Sequence, residues 1–149
     1  DKVTAIGEDS FQGCIGLTDL IIPNSVTSIG NEAFKDCKEL ASVTISGSLT
    51  SIGDQVFRDC EKLSTVTIPN SVISIGENAF RNCSGLKSVV IPDSVTSIGD
   101  WAFYDCSGIT DLAISDSVTF IGEAAFVGCK GLTSISLPNK LHKTLRKYS

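Results

Sequence analysis

Hydrophobic positions in this chain return at a fixed long interval. Leu17, Leu40, Leu63, Leu86, Ile109 and Leu132 stand 23 residues apart, and so do Cys14, Cys37, Cys60, Cys83, Cys106 and Cys129. Taking each cysteine as position 1, the other apolar columns fall into the same register. Position 7 is Leu20, Val43, Val66, Val89, Leu112 and Ile135. Position 9 is Ile22, Ile45, Ile68, Ile91, Ile114 and Leu137. Position 13 is Val or Leu from Val26 to Val118, and position 16 is Ile from Ile6 to Ile121. Gly follows at position 17, and position 21 is Phe from Phe11 to Phe126.

Within the unit, positions 6 to 9 alternate polar and apolar, the period of a half-buried strand. Pro23, Pro69, Pro92 and Pro138, or Ser46 and Ser115, then end that strand, because proline cannot donate to a ladder. Val-x-x-Ile predicts a second extended edge. The glycine after it suits either a corner at positive φ or close packing between units. Positions 18 to 22, as in Asp100-Trp101-Ala102-Phe103-Tyr104, predict one turn of α- or 3₁₀-helix that drives Phe inward. No unit buries its apolar face alone, whereas stacked units bury it in continuous columns. The expected fold is therefore a right-handed solenoid of α/β type. A parallel strand ladder forms one face, with the second edge and short turns on the other.

The unit C-x-x-L-x-x-[VI]-x-I-P-x-S-V-T-S-I-G-x-x-A-F-x-[DN] closely resembles the BspA-like, or Treponema-type, leucine-rich-repeat family. The likeness covers the chain to about residue 141. Where the general leucine-rich pattern places a buried Asn or Cys, this chain has Ser25, Ser48, Ser71, Ser94 and Ser117. Hydroxyls pointing inward there must satisfy backbone groups nearby. The resemblance implies a protein-binding or adhesion module of an extracellular or cell-surface protein. Members occur in surface-exposed or secreted proteins of bacteria and protists, some attaching to host matrix proteins or other cells.

The array is expected over residues 1–139, with a partial unit at 1–13, whole units at 14–128 and a degenerate unit from 129. In residues 140–149 the register fails. Leu141, Leu145 and Tyr148 fall at helical spacing between Lys143, Arg146 and Lys147, predicting a short amphipathic segment that covers the last coil. The chain opens in mid-unit and has no methionine, which reads as a piece of something longer.

Charge narrows the partners. Residues 1–139 hold eight Lys/Arg against seventeen Asp/Glu, a net −9, and four basic residues in the tail bring the total to −5. An acidic body argues against a nucleic-acid groove. No apolar run approaches the roughly 18 residues of a membrane span.

Candidate chemistry is sparse. The six cysteines form one column about 4.8 Å apart by strand spacing. They read as a ladder of buried free thiols, with disulfides and zinc as alternatives. The one His is His142, in the tail, which leaves the body without the commonest general base. No catalytic residues, cofactor or metal are assigned. Carboxylates at position 18 (Glu8, Asp54, Glu77, Asp100, Glu123) read as favoured by a helical-turn dipole, with calcium as the alternative. Asn82-Cys83-Ser84 matches a glycosylation sequon and reads as accidental.

Variable positions in a constant frame are the candidates for binding. On the main strand these are the outward positions 6 and 8, notably Asp19, Ile21, Thr44, Thr67, Val90 and Asp111. A second candidate is aromatic: Trp101, Tyr104 and Phe120, which stand where other units are mostly polar. Three functions compete. One is a protein-binding or adhesion module facing a host matrix or cell-surface protein, and another is a rigid spacer. The third is recognition of a regular surface, such as ice or polysaccharide, by Ser-x-Thr rows like Ser25/Thr27 and Ser94/Thr96.

Overall fold

The computed structural model describes residues 2–138; the tail segment 140–149 lies outside the described residues. The strands are β1 (Ala5–Ile6), β2 (Asp19–Ile22), β3 (Ser28–Ile29), β4 (Ser42–Ile45), β5 (Ser51–Ile52), β6 (Thr65–Thr67), β7 (Ser74–Ile75), β8 (Ser88–Ile91), β9 (Ser97–Ile98), β10 (Asp111–Ile114) and β11 (Phe120–Ile121). They alternate between two parallel ladders. The longer even-numbered strands form the main ladder, and the two-residue odd-numbered strands form the second. Each strand pairs in register with residues 23 positions away, as Ile21 with Thr44 and Thr44 with Thr67. The chain is a parallel-strand solenoid of about five coils.

The core is the set of apolar columns between the ladders. Phe34, Phe57, Phe80 and Phe103 are fully buried, as are Leu40, Leu63 and Leu86. From Phe11 to Phe126 successive rings stack at 5.1–5.7 Å with interplanar angles of 2–16°, within the favoured range for offset aromatic pairs.

The expected helical turn is not what fills positions 18 to 22. Among the described residues there is no α- or 3₁₀-helix. Two residues per coil take left-handed backbone instead. Position 19 does so at Asp9, Glu32, Gln55, Asn78, Trp101 and Ala124, and position 23 at Gly13, Asp36, Asp59, Asn82, Asp105 and Gly128. Left-handed residues four apart break helical continuity and turn alternate peptides toward the neighbouring coil. Asp9, Phe11 and Gly13 donate their N–H to the carbonyls of Asn31, Ala33 and Lys35. Every coil from 9 to 105 repeats this, always donating toward the following coil.

The glycine column resolves in favour of close packing. No position-17 glycine has positive φ. A Cβ on Gly76 would stand 2.6 Å from Asp54 Oδ1, and one on Gly99 would stand 2.7 Å from Glu77 N. Gly30, Gly76, Gly99 and Gly122 each let the preceding coil's backbone pass.

Both ladders are interrupted once. The second parts between β3 and β5, beside the one corner reading Ser46-Gly47-Ser48-Leu49-Thr50 instead of Pro/Ser-x-Ser-Val. There Ser48 N bonds Ser46 O, two residues back, whereas Val26, Val72 and Val95 bond the Pro carbonyl three residues back. The tighter turn leaves Thr50 and Gly53 without the inter-coil bonds that Ile73 and Gly76 make. The main ladder parts between β6 and β8, where Pro69 and Pro92 fall in successive coils. Ser46 N still bonds Ile22 O, but Pro69 and Pro92 have no N–H for Ile45 and Ile68. The degenerate last unit forms no strand over 132–138, and Leu112 and Ile114, which such a strand would cover, stay half-buried.

Candidate functional site

Strand alternation turns positions 7 and 9 inward and positions 6 and 8 outward. Asp19, Ile21, Thr44, Thr67, Val90 and Asp111 are all exposed. Ladder register aligns Ile21, Thr44 and Thr67 in one row and Val90 beside Ala113 in its continuation. Asp19, Ser42 and Thr65, then Ser88 and Asp111, form the row next to it. The apolar members stand out: Ile21 is 74% exposed and Val90 is 67% exposed. Asp19 accepts from Ser42 Oγ at 2.5 Å and Thr18 Oγ1 at 3.0 Å, and these donors hold its carboxyl below the usual carboxylate range. A groove of about 300 Å³, lined by Val66, Thr67, Asn70, Ser88, Val90 and Pro92, marks the parting of β6 from β8.

The three aromatics are carried on two different segments. Trp101 and Tyr104 share the turn segment, both half-buried, and Tyr104 carries the Arg81 guanidinium 5.0 Å above its ring. Phe120 is 55% exposed but lies on β11, paired with Ser97, across the Gly99–Asp100 corner from Trp101. Trp101 occupies the left-handed position with φ 52°, an outlier for a bulky side chain. Asp, Glu, Gln, Asn and Ala stand there in the other coils.

The Ser-x-Thr rows are not a flat hydroxyl lattice. The Ser column is half-buried and the Thr column exposed. Thr27, Thr96 and Thr119 turn their hydroxyls onto carbonyls of the preceding coil, and Ile73, 51% exposed, interrupts the row. Ser117 Oγ bonds Val95 O at 2.8 Å, the backbone partner expected of an inward hydroxyl. Ser71 Oγ and Ser94 Oγ are buried without one.

The repeating polar groups have structural partners. All six cysteines are free thiols. From Cys37 to Cys129 each Sγ donates to the Phe carbonyl 26 residues earlier at 3.0–3.3 Å. Burial pushes the thiols of Cys60, Cys83 and Cys106 well above their ordinary range, and that of Cys129 up to about 11. At position 18 there is no helical dipole to serve. Instead Asn31, Asp54 and Asp100 accept the N–H of Asp54, Glu77 and Glu123 in the following coil. No group of three His, Cys, Asp or Glu among the described residues is arranged to hold a metal. Asn82 of the sequon donates to Asp59 Oδ1 at 2.6 Å, and Cys83 beside it is buried. An apolar hollow of about 380 Å³ at the first coil is lined by Ile6, Phe11, Leu20 and Phe34, the core columns themselves. Among the described residues no helix is long and apolar enough to cross a membrane.

Six copies of the BspA-type leucine-rich-repeat model match the chain, over residues 1–84 and 50–148. The chain belongs to this family. No curated protein matches it. Among solved structures it is similar to a leucine-rich-repeat protein from Bacteroides ovatus, with 38% identity and a TM-score of 0.87, covering 92% of this chain and 36% of that one. It is also similar to the Treponema pallidum leucine-rich-repeat protein, with 27% identity and a TM-score of 0.71, covering 97% of this chain and 76% of that one. A leucine-rich cell surface protein from Faecalibacterium prausnitzii shares 28% identity with a TM-score of 0.55, covering 94% of this chain and 53% of that one. This BspA-type array thus spans about a third of the length of the Bacteroides protein.

Proposed function

We propose that the chain is a non-catalytic protein-binding module of a surface-exposed or secreted protein, and that it acts in adhesion through the main strand face. The observation that carries this is the row Ile21–Thr44–Thr67, continued by Val90 on the second stretch of the main parallel ladder. Its side chains point away from the core, so no packing requirement accounts for Ile21 and Val90 being apolar. Flat surfaces of mixed hydroxyl and aliphatic character suit a protein partner better than a small molecule, which needs an enclosed pocket. The relative described as a cell surface protein supports the same location here, and a host matrix or cell-surface protein is the partner class.

The test is binding of the purified array to immobilised matrix proteins and to cells, comparing wild type with Ile21→Asp/Val90→Asp. Both side chains are exposed, so the fold should survive, and we expect at least about a tenfold loss of binding for removing two contact residues. Uniformly negative binding by the wild type would sink adhesion and leave the rigid-spacer reading. The uninterrupted phenylalanine column favours that alternative; shortening the array would then abolish function where surface substitutions did not.

A further inference from the structure

Charge is segregated along the solenoid. From residue 88 to residue 129 the chain carries Asp93, Asp100, Asp105, Asp111, Asp116 and Glu123 and not one Lys or Arg. All four ion pairs among the described residues lie between Glu32 and Lys62, in the earlier coils. The six later carboxylates have no cationic partner there. Lys87 and Lys130 stand only at the ends of this 42-residue stretch, Lys130 lining one hollow with Asp105. Carboxylates without an ion pair over nearly two coils attract a cationic partner and are screened by salt.

In the middle of this block lies the one aromatic pair on the turn surface. Positions 19 and 22 face each other across the turn, and their pairing changes coil by coil. Lys35 bridges Glu32 at 2.8 Å, Arg58 bonds Gln55, Arg81 bonds Asn78, and the next pair is Trp101 and Tyr104. The column of cations thus ends on an aromatic, and the last cation, Arg81, already lies over the Tyr104 ring. In the coil beyond, the same two positions are Ala124 and a 53%-exposed Val127, so among the described residues the pair is followed only by short side chains. Asp100 and Asp105 flank the aromatics in sequence, and Glu123 lies one coil on. The Asp105 carboxylate makes no hydrogen bond among the described residues and leans over the space that Gly128 leaves open.

We propose that Trp101 and Tyr104, with Asp100, Asp105 and Glu123, form a docking surface for an arginine- or lysine-bearing segment of a protein partner. The aromatics hold the cation by face contact and the carboxylates by ion pairing. The site is on the turn surface, away from the main strand face. It rests on the array's being a protein-binding module and assigns a second contact region with its chemistry.

Trp101 is the only tryptophan, so its emission reports on this surface alone. The experiment titrates the full chain with an arginine-rich decapeptide, a glutamine/serine decapeptide of equal length and a neutral oligosaccharide. The expected result is a saturable change in Trp101 emission with the arginine peptide only, weakening as NaCl is raised. By calorimetry, Asp105→Asn/Glu123→Gln and Trp101→Gln should each bind the peptide roughly tenfold more weakly, two exposed ion pairs or one cation–π contact being of that order. Both variants should fold. Asn82 holds the left-handed position equivalent to Asp105, and Gln55 the one equivalent to Trp101; thermal melts check this. Glu8→Gln/Asp9→Asn, which removes the same charge from the first coil, should bind within twofold of wild type. An equal loss in that control, an emission change with the neutral peptide or the oligosaccharide, or no saturable change would each overturn the proposal. The matrix-binding assay reads the strand face independently, so its result separates failure here from failure of the module reading.

Discussion

From Cys37 onward each cysteine does two things at once: it fills a core column and donates its S–H to a phenylalanine carbonyl of the preceding coil. Alanine fills part of that space but donates nothing. We expect Cys83→Ala to cost about 1–2 kcal/mol, a small cavity plus the loss of one of the two hydrogen bonds to Phe57 O, measured by urea denaturation. Ionisation has a defined direction. The buried thiols have folded pKa values raised above the ordinary 9.0, so the folded chain keeps protons that the unfolded chain loses. That contribution is complete below pH 9 and is lost as pH rises. Each deeply buried thiol should then remove about 1.4 kcal/mol per pH unit, while Cys129 completes its share near pH 11. Melts from pH 8 to 10.5 should show a steepening loss, shallower by one proton in Cys83→Ala; a flat profile would refute the thiol ladder's role. Gly99→Ala pushes a methyl onto the Glu77 backbone and should destabilise by about 1–3 kcal/mol. The columns of Cys, Phe and Gly were legible because burial and closeness permit so few residue types. The thiol's hydrogen bond was not, since a Cys column looks the same whether it donates or merely packs.

At the scale of elements, strands were readable and turns were not. Period-2 alternation places Ser42–Ile45 and Ser88–Ile91 without ambiguity. The turn was misread as helical because Ala and Phe at positions 20 and 21 are ordinary helix residues. The contrary signal was present in position 23, where Asp, Asn and Gly alternate, the residues that tolerate left-handed backbone. Position 19, with Glu, Gln and Trp, gave no such hint. The proposed contact residues show the same split. Ile21 and Val90 were evident as breaks in a polar row. Arg81 and Asp105 were not, because their contribution depends on which coils lack a counter-charge. Ladder interruptions predict local mobility. Amides of Thr50 and Gly53, without inter-coil acceptors, should exchange with deuterium faster than those of Ile73, Gly76, Thr96 and Gly99, which have them. Equal protection across the three coils would count against the parting of β3 from β5.

For the whole molecule, stability follows from neighbours in a line. Deleting residues 60–82 removes one complete coil and joins Asp59 to Cys83 in unbroken register. The product should fold cooperatively with a lower Tm, whereas deleting half a unit should not fold, as circular dichroism melts will show. The turn segments add something that the strand ladders lack. In a parallel ladder donors and acceptors alternate in direction, so peptide dipoles largely cancel. In the turns, three peptides per coil point the same way from Asp9 to Asp105. Each carries about 3.5 D, so that side of the solenoid is a polarised rod, as a helix is, though built from non-helical backbone. Its carbonyl end faces the first coil and its amide end the last. The array therefore has a head and a tail in the electrical sense: two such stacks can join with these bonds intact in one order only, and inverting a coil would oppose its dipoles to every other.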